Sequence, residues 1–311
     1  MNEDLDYTEH NGRVAVLLST YNGEKFLEAQ LNSIEKQDYE NLQLIVRDDG
    51  SVDGTVQILM NFSKHSRLQV KVIQGINVGP ARGFWELLHC KGINADYFAY
   101  CDQDDVWDAD KISRSVEFLT QCQENVLYFS NCRFIDAKGK VFQTKMFEKK
   151  PRISLQRLFI SGVVQGCAMV MTRDLREHIC DSSISSLPMH DVVTMLYALD
   201  FGRIVYDENP RFSYRSHSGN VVDKQRKSVW KKIRTRMRAL DNGWHNSYST
   251  VAEELLINNF MISTDNKKIL GYVRDYKTSF SAFWKTFMFS SDDVSKEAMR
   301  SFHLRLLLRA F

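Results

Sequence analysis

Apolar residues come in short runs through the first third of the chain, and each run ends in a polar cluster. VAVLLS (Val14 to Ser19) is the first. A run of this length with polar flanks predicts a strand buried on both faces of a parallel sheet. Leu27, Leu31 and Ile34 then fall at i, i+4 and i+7, one face of a helix. LQLIV (Leu42 to Val46) predicts a second strand, followed by a helix from Gly54 to about Ser63 with Asp53 placed to cap it. LQVKVIQ (Leu68 to Gln74) predicts a third strand, and a helix opens near Pro80. DYFAYCD predicts a fourth strand, and Ala109 to Gln121 another helix. This β-α-β-α-β-α-β-α order predicts an α/β fold with a mainly parallel sheet flanked by helices.

The pattern then changes. VLYFSNCRFID (Val126 to Asp136) predicts a long strand, closed by the turn AKGK. SGVVQGCAMVMTR predicts a strand followed by a helix start, Met189 to Leu199 a helix, and RFSYRSH a short strand. From about Gln225 onward the chain reads as helical. The organisation expected is a polar tail over residues 1–12, an α/β domain over 13–222 and a helical, basic extension over 223–311.

In open parallel sheets ligands bind outside the carboxyl ends of the strands. Here the strands end in Ser19, Thr20, Tyr21, Asn22 and Gly23, in Asp48, Asp49, Gly50 and Ser51, in Asn77, Gly79 and Arg82, and in Asp102, Gln103, Asp104 and Asp105. Each cluster alone is ordinary turn chemistry. Four at matching ends predict a crevice. The fourth poses a physical question, because a like-charged pair at about 4 Å costs roughly 1 kcal/mol in water and about 4 at an effective dielectric of 20. A cation, a bound proton or a hydroxyl-rich ligand offsets that cost.

Composition narrows the partners. The net charge of +2 over 311 residues names none. The six cysteines, Cys90, Cys101, Cys122, Cys132, Cys167 and Cys180, show no C-x-x-C spacing, which points to reduced thiols and not to a disulfide framework or zinc site. MNEDLDYTEHNGR is polar and acidic, unlike a signal peptide, and no apolar run reaches 18 residues. A cytoplasmic protein is expected. No G-x-G-x-x-G follows the first strand and no G-x-x-x-x-G-K-[ST] occurs, so neither a dinucleotide nor a P-loop phosphate site is expected. Asp102-x-Asp104 instead offers hard oxygens suited to Mg2+ or Mn2+ bridged to a substrate phosphate.

STYNGEKFLEAQLNSI, IVRDDGSVDGT, NVGPARGF and YCDQDDVW together resemble the family-two glycosyltransferases of GT-A fold, in the bacterial rhamnosyltransferase-like branch that builds cell-surface polysaccharides. The resemblance runs from about Val14 to Val222 and makes 13–222 a GT-A catalytic domain. It implies that Thr20, Tyr21, Asn22 and Asp49 hold the base and ribose of a dTDP- or UDP-linked sugar, that Arg82 contacts the donor, and that Asp102 lies near the ribose. Asp104 would hold the metal, with Asp105 as the alternative in a D-x-D-D register. VVQGCAMVMTR resembles the segment lining the sugar and acceptor, with Gln165 and Gly166 nearest. PMHDVVTMLYAL resembles the motif whose acid opens a helix near the acceptor, which makes Asp191 the catalytic base. YRSHSGNVV implies Arg215 near the phosphates and His217 near the metal. Val192 and Val193 stand where tryptophans are common, a departure on the acceptor side. The implied reaction is inverting, metal-dependent transfer of a sugar, rhamnose being the branch's commonest, to a growing polysaccharide or lipid-linked acceptor.

Lys224 to Arg238 carries eight basic residues and no acid, with Val229, Trp230, Ile233 and Met237 on one helix stripe. Such a helix suits an anionic membrane surface and predicts peripheral attachment at the inner face of the cell membrane. Docking on the catalytic domain by its apolar stripe is the other reading. Leu304, Leu307 and Leu308 in the last helix suit membrane contact or self-association. No nucleic-acid recognition motif accompanies the basic run, so no nucleic acid is expected. Two other functions stay open on the residues alone: a nucleotidyltransferase of related fold, and a non-catalytic membrane- or nucleic-acid-binding module built on the basic helix.

Overall fold

Strand β1 (Val14–Thr20) is buried along almost its whole length, and β2 (Leu42–Asp48) throughout, as expected of unbroken apolar runs in the middle of a parallel sheet. The computed structural model describes residues 12–182, 188–217, 248–257 and 263–308. They fall into two compact units. One comprises the chain up to Cys132 together with Gly166–Glu177 and Gly202–Ser213; the other comprises Arg133–Gln165, His178–Phe201 and the chain from Tyr214.

In the first unit β1 and β2 alternate with α1 (Leu27–Glu35) and α2 (Thr55–His65), followed by β3 (Gln69–Gln74), α3 (Pro80–Leu88), β4 (Tyr97–Cys101), β5 (Val106–Trp107) and α4 (Lys111–Thr120). Leu27, Leu31 and Ile34 are all buried, the helix face their spacing predicts. Helix α2 starts at Thr55, one residue later than predicted, with Gly54 at its cap position. Asp53 still serves the helix start, accepting the Thr55 amide at 3.0 Å and the Thr55 hydroxyl at 2.5 Å. Pro80 opens α3 behind Gly79, whose φ of 83° only glycine adopts freely.

Strands β6 (Asn125–Ile135), β8 (Met169–Thr172) and β9 (Arg203–Arg215) complete the sheet in the order β3-β2-β1-β4-β8-β6-β9-β5. Its first four strands are parallel, while β4–β8, β8–β6 and β9–β5 pair antiparallel, so the sheet is mixed. The two-residue β5 and the full length of β9 exceed what periodicity predicts. Strand β9 carries Asp207, Glu208, Asn209, Pro210 and Arg211 in its middle, which breaks any apolar alternation. Asp207 is nonetheless buried, because Arg211 at 2.7 Å and the Tyr128 hydroxyl at 3.1 Å satisfy it.

Chain order also sets the crevice. The chain steps outward from β1 to β2 and β3, then returns to place β4 on the other side of β1. The boundary between β1 and β4 is therefore the point of reversal, where connections leave in opposite directions and open a ligand site.

In the second unit β7 (Val141–Gln143) pairs with the end of β6, and α5 (Leu155–Ser161), which the sequence pattern does not announce, is capped by the Ser154 hydroxyl. Helices α6 (Arg173–Cys180) and α7 (His190–Phe201) follow; only the last residues of α6 belong to this unit. The described C-terminal residues form α8 (Tyr248–Ile257), α9 (Thr264–Asp275), α10 (Phe280–Phe287) and α11 (Lys296–Leu307). Ser263, Ser279 and Ser295 each cap the helix that follows, accepting an amide at 3.2–3.3 Å. Arg157 pairs with Asp293 at 3.3 Å, and the Phe287 and His303 rings stack at 4.1 Å. Among the described residues no helix is long and apolar enough to cross a membrane. The basic run Lys224 to Arg238 lies outside the described residues.

Candidate functional site

At the reversal point the two loops are tied by one side chain. Gln103, the middle residue of Asp102-x-Asp104, accepts the Tyr21 amide at 2.9 Å and donates to the Tyr21 carbonyl at 3.1 Å. This two-point clamp fixes the end of β1 against the end of β4. Asn22 adopts φ 47°, a left-handed conformation that asparagine tolerates. There its amide donates to Ser51 Oγ at 2.8 Å and its Oδ1 accepts the Val52 amide at 2.9 Å, so the end of β2 joins the same assembly. Thr20 is buried and donates to Asp48 at 3.0 Å, and Ser51 donates to the same carboxylate through hydroxyl and amide. Tyr21 and Asn22 remain exposed at the rim.

Asp49 is 3% exposed. Its carboxylate meets the Arg47 guanidinium and accepts the amides of Val78 at 2.9 Å and Gly79 at 2.8 Å. Arg47 also reaches Glu86 at 2.9 Å, and Glu86 in turn receives Arg82 at 3.0 Å. Asp49 thus anchors the loop before α3, and Arg82 is held on the outer side of the same network.

Asp102, Asp105 and Cys167 each offer an atom within 4.8 Å of the others. Asp105 is fully buried, while Asp102 and Asp104 are partly exposed. Asp104 is not among these three. Burial pushes the Cys167 thiol well above its usual range, and the carboxylates of Asp105 and Asp102 push it further. A protonated thiol is a poor ligand, so the fit to a metal rests on the carboxylate oxygens, donors of the kind Mg2+ and Mn2+ prefer. Gly166 opens a short 3-10 turn in the same unit.

Gln165, Asp191, Arg215 and His217 belong to the second unit. Gln165 Oε1 is buried and has no hydrogen-bond partner among the described residues. Asp191 is the second residue of α7, partly exposed, and accepts the Val192 amide at 2.7 Å. Arg215 is buried and donates to the Asp136 carbonyl at 3.2 Å, and His217 is partly exposed. His190, beside Asp191, is buried, and burial depresses its pKa to about 3.

Two residues of the first unit escape a reading by motif. Gln103 fills the variable position of its motif, and only the geometry reveals the clamp. Lys111 lies fully buried at the start of α4. A Lys in a DADKIS segment reads as an exposed helix-start residue, and no periodicity marks it otherwise.

A sheet that reverses between β1 and β4, with carboxylates at the end of β4, defines a nucleotide-diphospho-sugar transferase of GT-A fold. The profile of Glycosyl transferase family 2 matches residues 15–179, more than half of the chain, and the chain belongs to that family. It is a glycosyltransferase. It is 25% identical over 278 residues to the dTDP-rhamnosyl transferase RfbG of Shigella flexneri, covering 86% of this chain and 93% of the relative. The fold is shared with the S. aureus TarS fragment 1-349 in complex with UDP-GlcNAc, at TM-score 0.61 and 18% identity over 95% of this chain and 79% of that one. It is also shared with the Pyrobaculum calidifontis mannosyltransferase PcManGT in complex with GDP-Man and Mn2+, at TM-score 0.54 and 16% identity over 96% and 87%.

Proposed function

We propose that this glycosyltransferase moves a sugar, with inversion, from a dTDP- or UDP-linked donor to a saccharide or lipid-linked acceptor of a cell-surface polysaccharide. The observation that carries the reading is the assembly at the reversal point, where Gln103 ties the Tyr21 loop beside the carboxylates of Asp102 and Asp105. Rhamnose from a dTDP donor is the first candidate, since the Shigella flexneri relative, matched over 93% of its length, is named for that sugar.

In this reading Tyr21 and Asn22 line the base and ribose site, and Thr20 and Asp49 hold its walls in place. Arg82 and Arg215 offset phosphate charge, and Gln165 and Gly166 line the sugar site. Asp102 with Asp104 or Asp105, joined by His217, would hold a divalent cation, which stabilises charge on the leaving diphosphate. Asp191 takes the proton of the acceptor hydroxyl. That oxygen bonds to the anomeric carbon from the face opposite the diphosphate, and the carbon–oxygen bond to phosphate breaks with its electron pair leaving on the nucleoside diphosphate.

Titration with UDP, dTDP and GDP by calorimetry, with and without Mn2+, tests the donor half. Mn2+-dependent binding of one nucleotide, lost in Asp104→Ala, is expected. Unchanged binding in that variant removes Asp104 from the metal, and no binding of any nucleotide overturns the donor reading. Attachment to the inner face of the cell membrane belongs to the same proposal. The eight basic residues of Lys224 to Arg238 support it, as do Leu304, Leu307 and Leu308, which are 39%, 61% and 54% exposed.

A further inference from the structure

The ladder between β1 and β2 runs as far as Thr20 and Asp48, but the ladder between β1 and β4 stops at Leu18 and Cys101. Past that point the tie to the β4 side passes to a side chain. Both polar backbone atoms of Tyr21 bond to the Gln103 amide. The amides of Asn22 and Gly23 turn the other way, to Ser51 Oγ and Thr55 Oγ1, each at 2.8 Å. Gln103 therefore holds one side of a loop whose other side hangs on the chain that follows β2.

Gly23 is the other half of this arrangement. It is buried, and its φ lies outside the left-handed region, so its backbone poses no bar to a side chain. Space does. A β-carbon on residue 23 overlaps Gln103 Oε1 and lies 2.6 Å from its Cδ and 3.2 Å from its Nε2, and these are the nearest atoms it meets. The amide seats against Tyr21 only because residue 23 has no side chain. Being the far end of a flexible side chain, it gives way to an added methyl while the backbone stays in place.

We propose that Gln103 is a positioning residue for the sugar-nucleotide donor and that Gly23 is its obligatory partner. The seated amide holds the Tyr21 peptide in the conformation that receives the nucleoside. Gln103 acts through that peptide, and its role rests on the donor reading, in which Tyr21 and Asn22 line the base and ribose site. Gln103 stands between Asp102 and Asp104, so a change at 103 alone confounds loss of the clamp with displacement of the carboxylates. Gly23→Ala separates them, because it evicts the amide from the β1 side and leaves the sequence after β4 intact.

Calorimetry with UDP and dTDP at saturating Mn2+, on the full-length chain, tests this. Wild type is compared with Gln103→Ala, Gln103→Met, Gly23→Ala and the double variant Gly23→Ala/Gln103→Ala. Gln103→Ala is expected to raise the Kd about tenfold, the weight of one ordinary hydrogen bond. Gln103→Met keeps the length of the side chain but neither hydrogen bond, and Gly23→Ala keeps both groups but unseats the amide; each is expected to show the same loss. The double variant is expected to bind no worse than Gln103→Ala, since the methyl then enters vacated space. Losses that add in the double variant, or a wild-type Kd in Gln103→Met, overturn the proposal. A chain that merely folds less well binds with the wild-type Kd at a smaller fraction of sites, and that outcome overturns it too. Should Gln103→Ala fail to fold, Gly23→Ala decides: a tenfold loss supports the clamp, and a wild-type Kd overturns it. No binding of either nucleotide to wild type overturns the donor reading and the proposal with it, whereas wild-type binding left unchanged in every variant overturns the proposal alone.

Discussion

Acidification from pH 7 to pH 5 gives the sharpest quantitative prediction. His190 is buried at the start of α7, and desolvation lowers its pKa from 6.5 to about 3. Below pH 6.5 the unfolded chain takes up a proton that the folded chain refuses until about pH 3. The contribution to stability is therefore fully present above the unfolded value and is lost as pH falls through that window. Each unit is worth about 1.4 kcal/mol, so one and a half units between 6.5 and 5 amount to about 2 kcal/mol. Burial also lowers His89 and His178, which adds loss of the same sign. The carboxylates with lowered values, Asp53, Asp136, Asp275 and Asp293, titrate below the usual 3.8 and stay out of the window. The assay is urea unfolding of wild type and His190→Asn at both pH values. The variant is expected to be less stable at pH 7 and to lose about 2 kcal/mol less than wild type on acidification. An equal loss in the two proteins would show that His190 is protonated readily in the fold and refute the argument.

Asp191→Asn is expected to keep nucleotide binding unchanged while turnover falls by roughly a hundredfold or more, the usual weight of a general base. Undiminished turnover in a steady-state transfer assay removes Asp191 from that role. Vesicles rich in anionic lipid should sediment the full-length chain at low salt and release it as salt rises. Replacing Leu304, Leu307 and Leu308 by serine should weaken that binding, and equal binding by the variant sinks the contribution of the last helix.

Strands β1, β2 and β4 were legible because they are buried on both faces and so read as apolar runs, whereas the edge strand β3 carries exposed Gln69, Lys71 and Gln74. Strand β9 was legible only at its end. Its middle, Asp207 to Arg211, is polar and lies in the sheet because Arg211 and Tyr128 satisfy Asp207 across strands, a pairing no local pattern reveals. Helix α5 hid for a related reason: seven residues are too few for a 3.6 period to stand out. At the site, Asp102, Asp104 and Asp105 announced themselves by composition. Which of them lies beside Cys167 depends on how the chain turns after β4, and there the geometry gathers Asp102 with the buried Asp105. Gln103 and Lys111 carry no motif. Gln103 clamps two loops and Lys111 is buried against Trp107 and Phe212, arrangements that exist only in three dimensions.

The division of residues between the two units has a consequence for mechanism. Tyr21, Asn22, Asp49, Arg82 and the strand-end carboxylates all belong to the first unit, and there each loop is bonded to another through Gln103, Ser51, Asn22 or Asp49. On the proposed reading, a nucleotide site built that way would be organised before the ligand arrives, so little ordering cost would remain on binding. Asp191, Gln165, Arg215 and His217 belong to the second unit. Changes in the first unit should therefore act mainly on donor affinity. Changes at Asp191 should act on turnover with affinity preserved. A variant of Asp191 that weakened nucleotide binding as much as one of Asp104 would contradict that separation, and with it the assignment of donor recognition and proton abstraction to different parts of the chain.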